Sequence, residues 1–200
     1  MSTILCIDTA SDAFALAVDC DGSLASVEIP GGHDHSRLLL PSIKDVLAGD
    51  RPDAILVVIG PGAYAGIRVG IATAEGLSIS LGVPLYSIGT LEASALAAGL
   101  ARATVVHPAG RGQFAVQEFR GAVALGAPVP GGPEALAGQT LAGEGAGELG
   151  GREVGPRERS EAALRDRAPK IRGGTLEPGA EAFYLREPSI TLSRRQQAAS

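Results

Sequence analysis

Residues 59–76 read IGPGAYAGIRVGIATAEG, the end of an apolar strand running through glycines into a helix. Backbone N–H groups at such a helix N-terminus can attract phosphate without any side chain. A phosphate loop of the Walker type places Lys and a hydroxyl directly after its last glycine, but here Gly66 is followed by Ile67 and Arg68. A dinucleotide loop reads Gly-x-Gly-x-x-Gly, and Gly60, Gly62 and Gly66 are spaced one residue too long for it. Packing accounts for the glycines better. Gly62, Gly66, Gly70, Ala74 and Ser78 recur every four residues, a ridge of small side chains that lets another backbone come close. Glycine inside a helix costs about 0.5–1 kcal/mol relative to Ala, so Gly66, Gly70 and Gly76 imply tight packing against a sheet or a second helix.

Three other groups of residues could do chemistry. Asp8 and Thr9 end the first apolar run, where an acid and a hydroxyl could hold a metal-bound phosphate or, equally, cap their own turn. His33-x-His35 suggests a metal, but spacing two on a Gly-Gly loop does not bring both rings to one helical face and no third ligand is evident. A peptidase needs a metal with a carboxylate base, or a nucleophile with its base, and neither constellation is present. A phosphotransferase needs a second glycine loop, and Pro130-Gly131-Gly132-Pro133, closed by prolines at both ends, is the only candidate. The catalytic and metal assignments are therefore none.

The elements that must position these residues follow from periodicity. Runs 3–9 and 13–18 are apolar on both faces, as central strands of a covered sheet are. Asp21-Gly22 makes a hairpin turn into an alternating strand at 23–29. A helical stripe of Leu39, Leu40, Ile43, Val46 and Leu47 follows, with a start near Leu38 placing Pro41 in the first turn. Then come a strand at 53–60, a helix at 67–80, a strand at 84–89 and a helix capped by Thr90, giving βββαβαβα over residues 1–100. A second lobe over 101–200 restarts with a hairpin around Gly110-Arg111-Gly112. Its continuation is less regular: a helix at 133–138, a strand at 139–142 and a helix at 161–167, with the last residues packing back on the first lobe.

The chain has 200 residues, 45% of them hydrophobic, and a formal charge of -5. That balance opposes independent binding to a polyphosphate, since non-specific nucleic-acid affinity comes from clustered cations. Cys6 and Cys20 are too few for a disulfide framework, and the first hairpin sets Cys6 opposite Leu16. No basic leader precedes the first strand, and no apolar run reaches the ~18 residues of a membrane span. A cytoplasmic protein is expected.

The segments ILCIDTA, HSRLLLP, GPGAYAGIRVGIATAEGL, TLEASA, GRG and YLREPSIT, in this order and spacing, resemble the bacterial TsaB (YeaZ) family. The resemblance covers residues 1–120 and 183–191. It implies an α/β fold of the actin-like, Hsp70-like and sugar-kinase-like (ribonuclease H-like) ATPase type, with two related lobes and mixed sheets. It also implies a non-catalytic dimerisation and scaffold subunit that supports a TsaD-like catalytic subunit. That enzyme transfers threonylcarbamoyl to the anticodon-loop adenosine of ANN-decoding tRNAs. A TsaE-like ATPase joins the assembly, tRNA is met only through the complex, and a homodimer is open. The alternatives are an ATP-binding phosphotransferase of the same fold and the metallopeptidase of older glycoprotease descriptions.

Departures from the family pattern favour the scaffold. Ala63-Tyr64-Ala65 stands where the family usually has Ser-Phe-Thr, and His107-Pro108-Ala109 and Gln113 replace its acidic residues, removing polar chemistry from both places. Asp8 and Thr9 remain the cofactor-binding candidates. No cofactor is required, and ATP or ADP is expected to bind above ~100 μM, through backbone N–H groups and a helix dipole alone. The partner interface is expected on the two paired helices, at Leu39, Ile43, Leu47, Gly66, Gly70, Ala74 and Ser78.

Overall fold

A computed structural model describes residues 2–32 and 34–183. The first half forms β1 (Thr3–Asp8), β2 (Ala13–Cys20), β3 (Ser23–Pro30), α1 (His35–Leu47), β4 (Ala54–Val58), α2 (Tyr64–Leu81), β5 (Leu85–Ile88) and α3 (Thr90–Ala98). Its sheet runs β3-β2-β1-β4-β5, with β1 antiparallel to β2 and parallel to β4. Every residue of β4, and all of β1 after Thr3, is buried. This is why both strands are apolar without alternation: helices cover both faces of a parallel strand pair.

The second half repeats that plan. It forms β6 (Arg102–Pro108), β7 (Phe114–Arg120), β8 (Val123–Ala124), β9 (Val129–Gly131), β10 (Leu141–Gly143), β11 (Arg152–Glu153) and α4 (Pro156–Arg172). The sheet runs β11-β10-β6-β7-β8, with β9 also on β7. Again three antiparallel strands are followed by two parallel ones. The counterparts of α1 and α2 have shrunk to single 3-10 turns at Pro133–Leu136 and Gly147–Leu149. The closing helices α3 and α4 survive in full and pack on each other. Each also reaches across the division at residue 100: α3 packs on β6 and β10, and α4 on β1 and β2.

Several expectations shift in register or extent. β1 pairs Cys6 with Ala17, not Leu16, and Thr3 with Cys20, because the turn consumes Thr9–Asp12 instead of Ser11-Asp12 alone. Helix α1 begins at His35 with Asp34 at its N-cap, leaving Pro41 inside the helix; burial of Leu39 and Ile43 fixes the helix and outweighs one missing backbone donor. Gly89, not Thr90, occupies the N-cap of α3. The helix expected at 161–167 runs from Pro156 to Arg172, since Pro at the first helical position follows a glycine cap and Arg159 turns inward. The helix expected at 133–138 is one 3-10 turn, and the strand expected at 139–142 is Leu141–Gly143.

Candidate functional site

The carboxyl ends of β1, β4, β6 and β10 meet between the sheets, where open α/β sheets place their ligands. Asp8 is the last residue of β1, and His107 lies one residue before the end of β6. Glu144 directly follows β10, and the Gly60–Gly62 loop follows β4. Two strands that correspond between the halves thus contribute Asp8 and His107.

Arg159 of α4 fills the space among them. It is fully buried; its Nε donates to Asp8 Oδ2 at 2.9 Å and its Nη1 to Glu144 Oε2 at 2.7 Å. Nη2 donates to Ser11 Oγ at 2.7 Å, and the Ser11 hydroxyl donates in turn to Glu144 Oε2. Burial opposes the guanidinium's charge, but Asp8 and Glu144 together outweigh it and raise its pKa. The second Asp8 oxygen, Oδ1, accepts the Ala10 N–H at 3.0 Å. Both oxygens of the acid that could have held a metal-bound phosphate are engaged within the chain.

His107 Nε2 lies 3.1 Å from the Ala10 carbonyl, which can only accept, so the ring proton sits on Nε2. Nδ1 is buried without a partner among the described residues and lies 3.7 Å from Glu144 Oε2. An ion pair there would require a protonated ring. Burial, aided by the Arg159 charge, pushes the His107 pKa down to about 3, so at neutral pH this is a contact between two acceptors. The substitution that looked like lost polar chemistry has put an imidazole inside the cleft.

The glycine loop serves this region by close approach. A Cβ on Gly62 would stand 2.4 Å from the Ala10 carbonyl oxygen, one on Gly66 2.2 Å from that of Thr9, and one on Gly70 2.1 Å from Thr9 Oγ1. Real Cβ contacts are never so short, so the small face of α2 clasps the Thr9–Ala10 backbone. The Ala63 N–H adds a 2.7 Å bond to Ala10 O. The ridge therefore packs on the β1–β2 turn. Gly76 is the exception: it is exposed and a Cβ there meets nothing within 4 Å, so its cost is not offset by packing.

The same geometry moves the expected interface. Leu39, Ile43, Gly66, Gly70 and Ala74 are buried within the chain, and Leu47 and Ser78 are half-buried, with Ser78 Oγ donating to Val83 O at 2.6 Å. The helices do pair, but with these residues turned inward. Outward on the same pair are Leu40, Tyr64 and Ile79, at 54%, 42% and 83% exposure. Thr9 Oγ1 faces Gly70 and has no partner among the described residues. His35 starts α1 with its ring 5.5 Å from that of Phe14, while His33 and residues 184–191 of the closing motif lie outside the described residues. Among the described residues no group of three His, Cys, Asp or Glu is placed to hold a metal ion.

The family model described as "TsaD: tRNA N6-adenosine threonylcarbamoyltransferase" matches residues 29–128, half of the chain. A protein named tRNA threonylcarbamoyladenosine biosynthesis protein TsaB, from Haemophilus influenzae, is 32% identical over 101 residues, 48% of this chain and 43% of that protein. Its Escherichia coli namesake is 31% identical over 93 residues, 44% and 40% of the two chains. Among solved structures, a Pseudomonas aeruginosa protein described as similar to peptidase YEAZ superposes with a TM-score of 0.76 at 25% identity, covering 93% of this chain and all of that one. The chain belongs to the TsaB (YeaZ) family.

The fold is the mixed-sheet α/β one shared with the YEAZ-like structure, and the strand order β3-β2-β1-β4-β5 recurs as β8-β7-β6-β10-β11 in two related lobes. The matched segments span less than half the length of the TsaB proteins above. The residues that fill the cleft, Ser11, Glu144 and Arg159, escaped the sequence reading. Glu144 carries one legible signal: it is an acid between Gly143 and Gly145 directly after a strand. Arg159 carries none, because it lies among Arg157, Glu158 and Glu161 on a helix that reads as solvated.

Proposed function

We propose that this chain is a non-catalytic dimerisation and scaffold subunit in tRNA threonylcarbamoyladenosine biosynthesis. It supports a TsaD-like catalytic subunit that modifies the anticodon-loop adenosine of ANN-decoding tRNAs. A TsaE-like ATPase joins that assembly in the cytoplasm, and tRNA is met through the complex, consistent with the chain's formal charge of -5. No described helix is long and apolar enough to cross a membrane. The names of the relatives motivate the pathway. The scaffold role rests on one observation: Leu40, Tyr64 and Ile79 are exposed on a helix pair whose inner face is fully used. Asp8, held by Arg159 and the Ala10 N–H, speaks for this reading over a phosphotransferase, because both oxygens of the acid at the end of β1 are already engaged. Neither nucleotide nor metal is required for the role.

The contact moves to the outward residues accordingly. Ile79→Glu places a charge where an apolar side chain would be buried by the partner, and affinity for the TsaD-like subunit is expected to fall about 10- to 100-fold, or roughly 1.4–2.7 kcal/mol. Val123→Glu, on β8 and 67% exposed, is expected to bind as the parent does. Titration calorimetry with the TsaD-like subunit measures both, and circular dichroism checks that the fold is kept. Equal affinities for parent and Ile79→Glu would remove the helix pair from the interface.

A further inference from the structure

We propose that the cleft between the two sheets is a cation site whose occupant is the chain's own Arg159, and that this guanidinium holds the cleft shut without any ligand. Asp8 and Ser11 belong to the β1–β2 region of one sheet and Glu144 to the end of β10 in the other. Arg159 reaches all three with three different nitrogens, each at 2.9 Å or less, and is itself fully buried. A planar fork with fixed donors suits such bridging better than a point charge would.

Two further observations point to a site built around a positive charge. The cluster holds two carboxylates against one guanidinium, a formal excess of one negative charge. The neighbouring imbalance is an acceptor, not a donor: His107 Nδ1, buried and unpartnered among the described residues, faces Glu144 Oε2 at 3.7 Å. Carboxylates, a hydroxyl and an imidazole lone pair are all acceptors, the complement of a guanidinium's five donors. The chain satisfies them from α4. Since α4 also packs along β1 and β2, its Arg159 ties the helix and both sheets at one point. The inference stands apart from the partner reading, because its test uses the isolated chain.

Arg159→Ala removes the cation and leaves Asp8 and Glu144 facing each other. Breaking a buried pair in this way is strongly destabilising, and the melting temperature is expected to drop by about 10 °C. Guanidinium chloride at ~10 mM, far below denaturing levels, is expected to restore at least half of that drop in Arg159→Ala. The same addition should leave the parent, and Asp8→Asn/Arg159→Ala, unmoved. A drop that guanidinium does not reverse overturns the cation site. If Arg159→Ala does not fold, Asp8→Asn/Glu144→Gln/Arg159→Met, which removes all three charges together, is expected to fold. In it the amides of residues 9–12 and 143–146 should exchange with solvent at least ~10-fold faster than in the parent, both sides together, as locally opened segments do. Unchanged protection on either side overturns the tether.

Discussion

Between pH 7 and pH 5 the folded chain is expected to lose about 2 kcal/mol of stability through His107 alone, and roughly 4 kcal/mol by pH 3. Burial holds this ring's pKa at about 3 in the folded state against an ordinary 6.5. In that window the unfolded chain binds the extra proton and the folded chain does not. Stability therefore rises with pH through the window; the contribution is complete above 6.5 and is lost as acid is added. Protonation would set a charge beside Arg159 in a closed cleft, and the Ala10 carbonyl and Asp8 compensate only in part. Chemical denaturation of the parent and His107→Gln at pH 7, 6 and 5 measures the effect. Gln keeps a donor for the Ala10 carbonyl but does not titrate, so the gap between the two curves should narrow by about 2 kcal/mol on going to pH 5. Parallel profiles would mean that His107 is solvated in solution.

Two glycines on one helix should respond to the same substitution with opposite signs. Gly66→Ala drives a methyl to 2.2 Å from the Thr9 carbonyl oxygen, a backbone atom held by the clasp, and overpacking of this kind is expected to cost about 3 kcal/mol. Gly76→Ala meets nothing within 4 Å on an exposed stretch of the same helix and should stabilise by about 0.5–1 kcal/mol, chiefly by restricting the unfolded chain. Denaturant midpoints with unchanged slopes give both numbers. A stabilising Gly66→Ala would show that α2 does not approach Thr9 this closely.

Such a paired result would also separate what glycine spacing says from what it cannot say. A four-residue period announces a narrow helical face, and α2 uses that face as expected. The period does not reveal which surface comes close: a partner helix, a phosphate and the Thr9–Ala10 turn would all require the same missing Cβ atoms. For this reason Leu39, Ile43, Gly66, Gly70 and Ala74, read as an outward interface, lie inside the chain. The outward positions, Leu40, Tyr64 and Ile79, interrupt no pattern.

The first half was legible because its elements are long. Strands of four to eight residues and helices of nine to eighteen carry enough periodicity to declare type and order. In the second half β8, β9, β10 and β11 have two or three residues each, fewer than any period needs, so the repeated plan is invisible in sequence. It is imposed by pairing with β6 and β7, the two long strands of that sheet. The sequence by itself determined the order of elements along one lobe, the apolar centre of its sheet and a close-packed α2. Only the tertiary structure decided the cleft. Asp8, Ser11, Glu144 and Arg159 are separated by as many as 151 residues, and whether a charged side chain on α4 faces water or two carboxylates depends on which sheet that helix covers. Local sequence sets helix propensity; the burial of Arg159 is set by β1 and β10 meeting end to end, a long-range arrangement that no window of neighbouring residues contains.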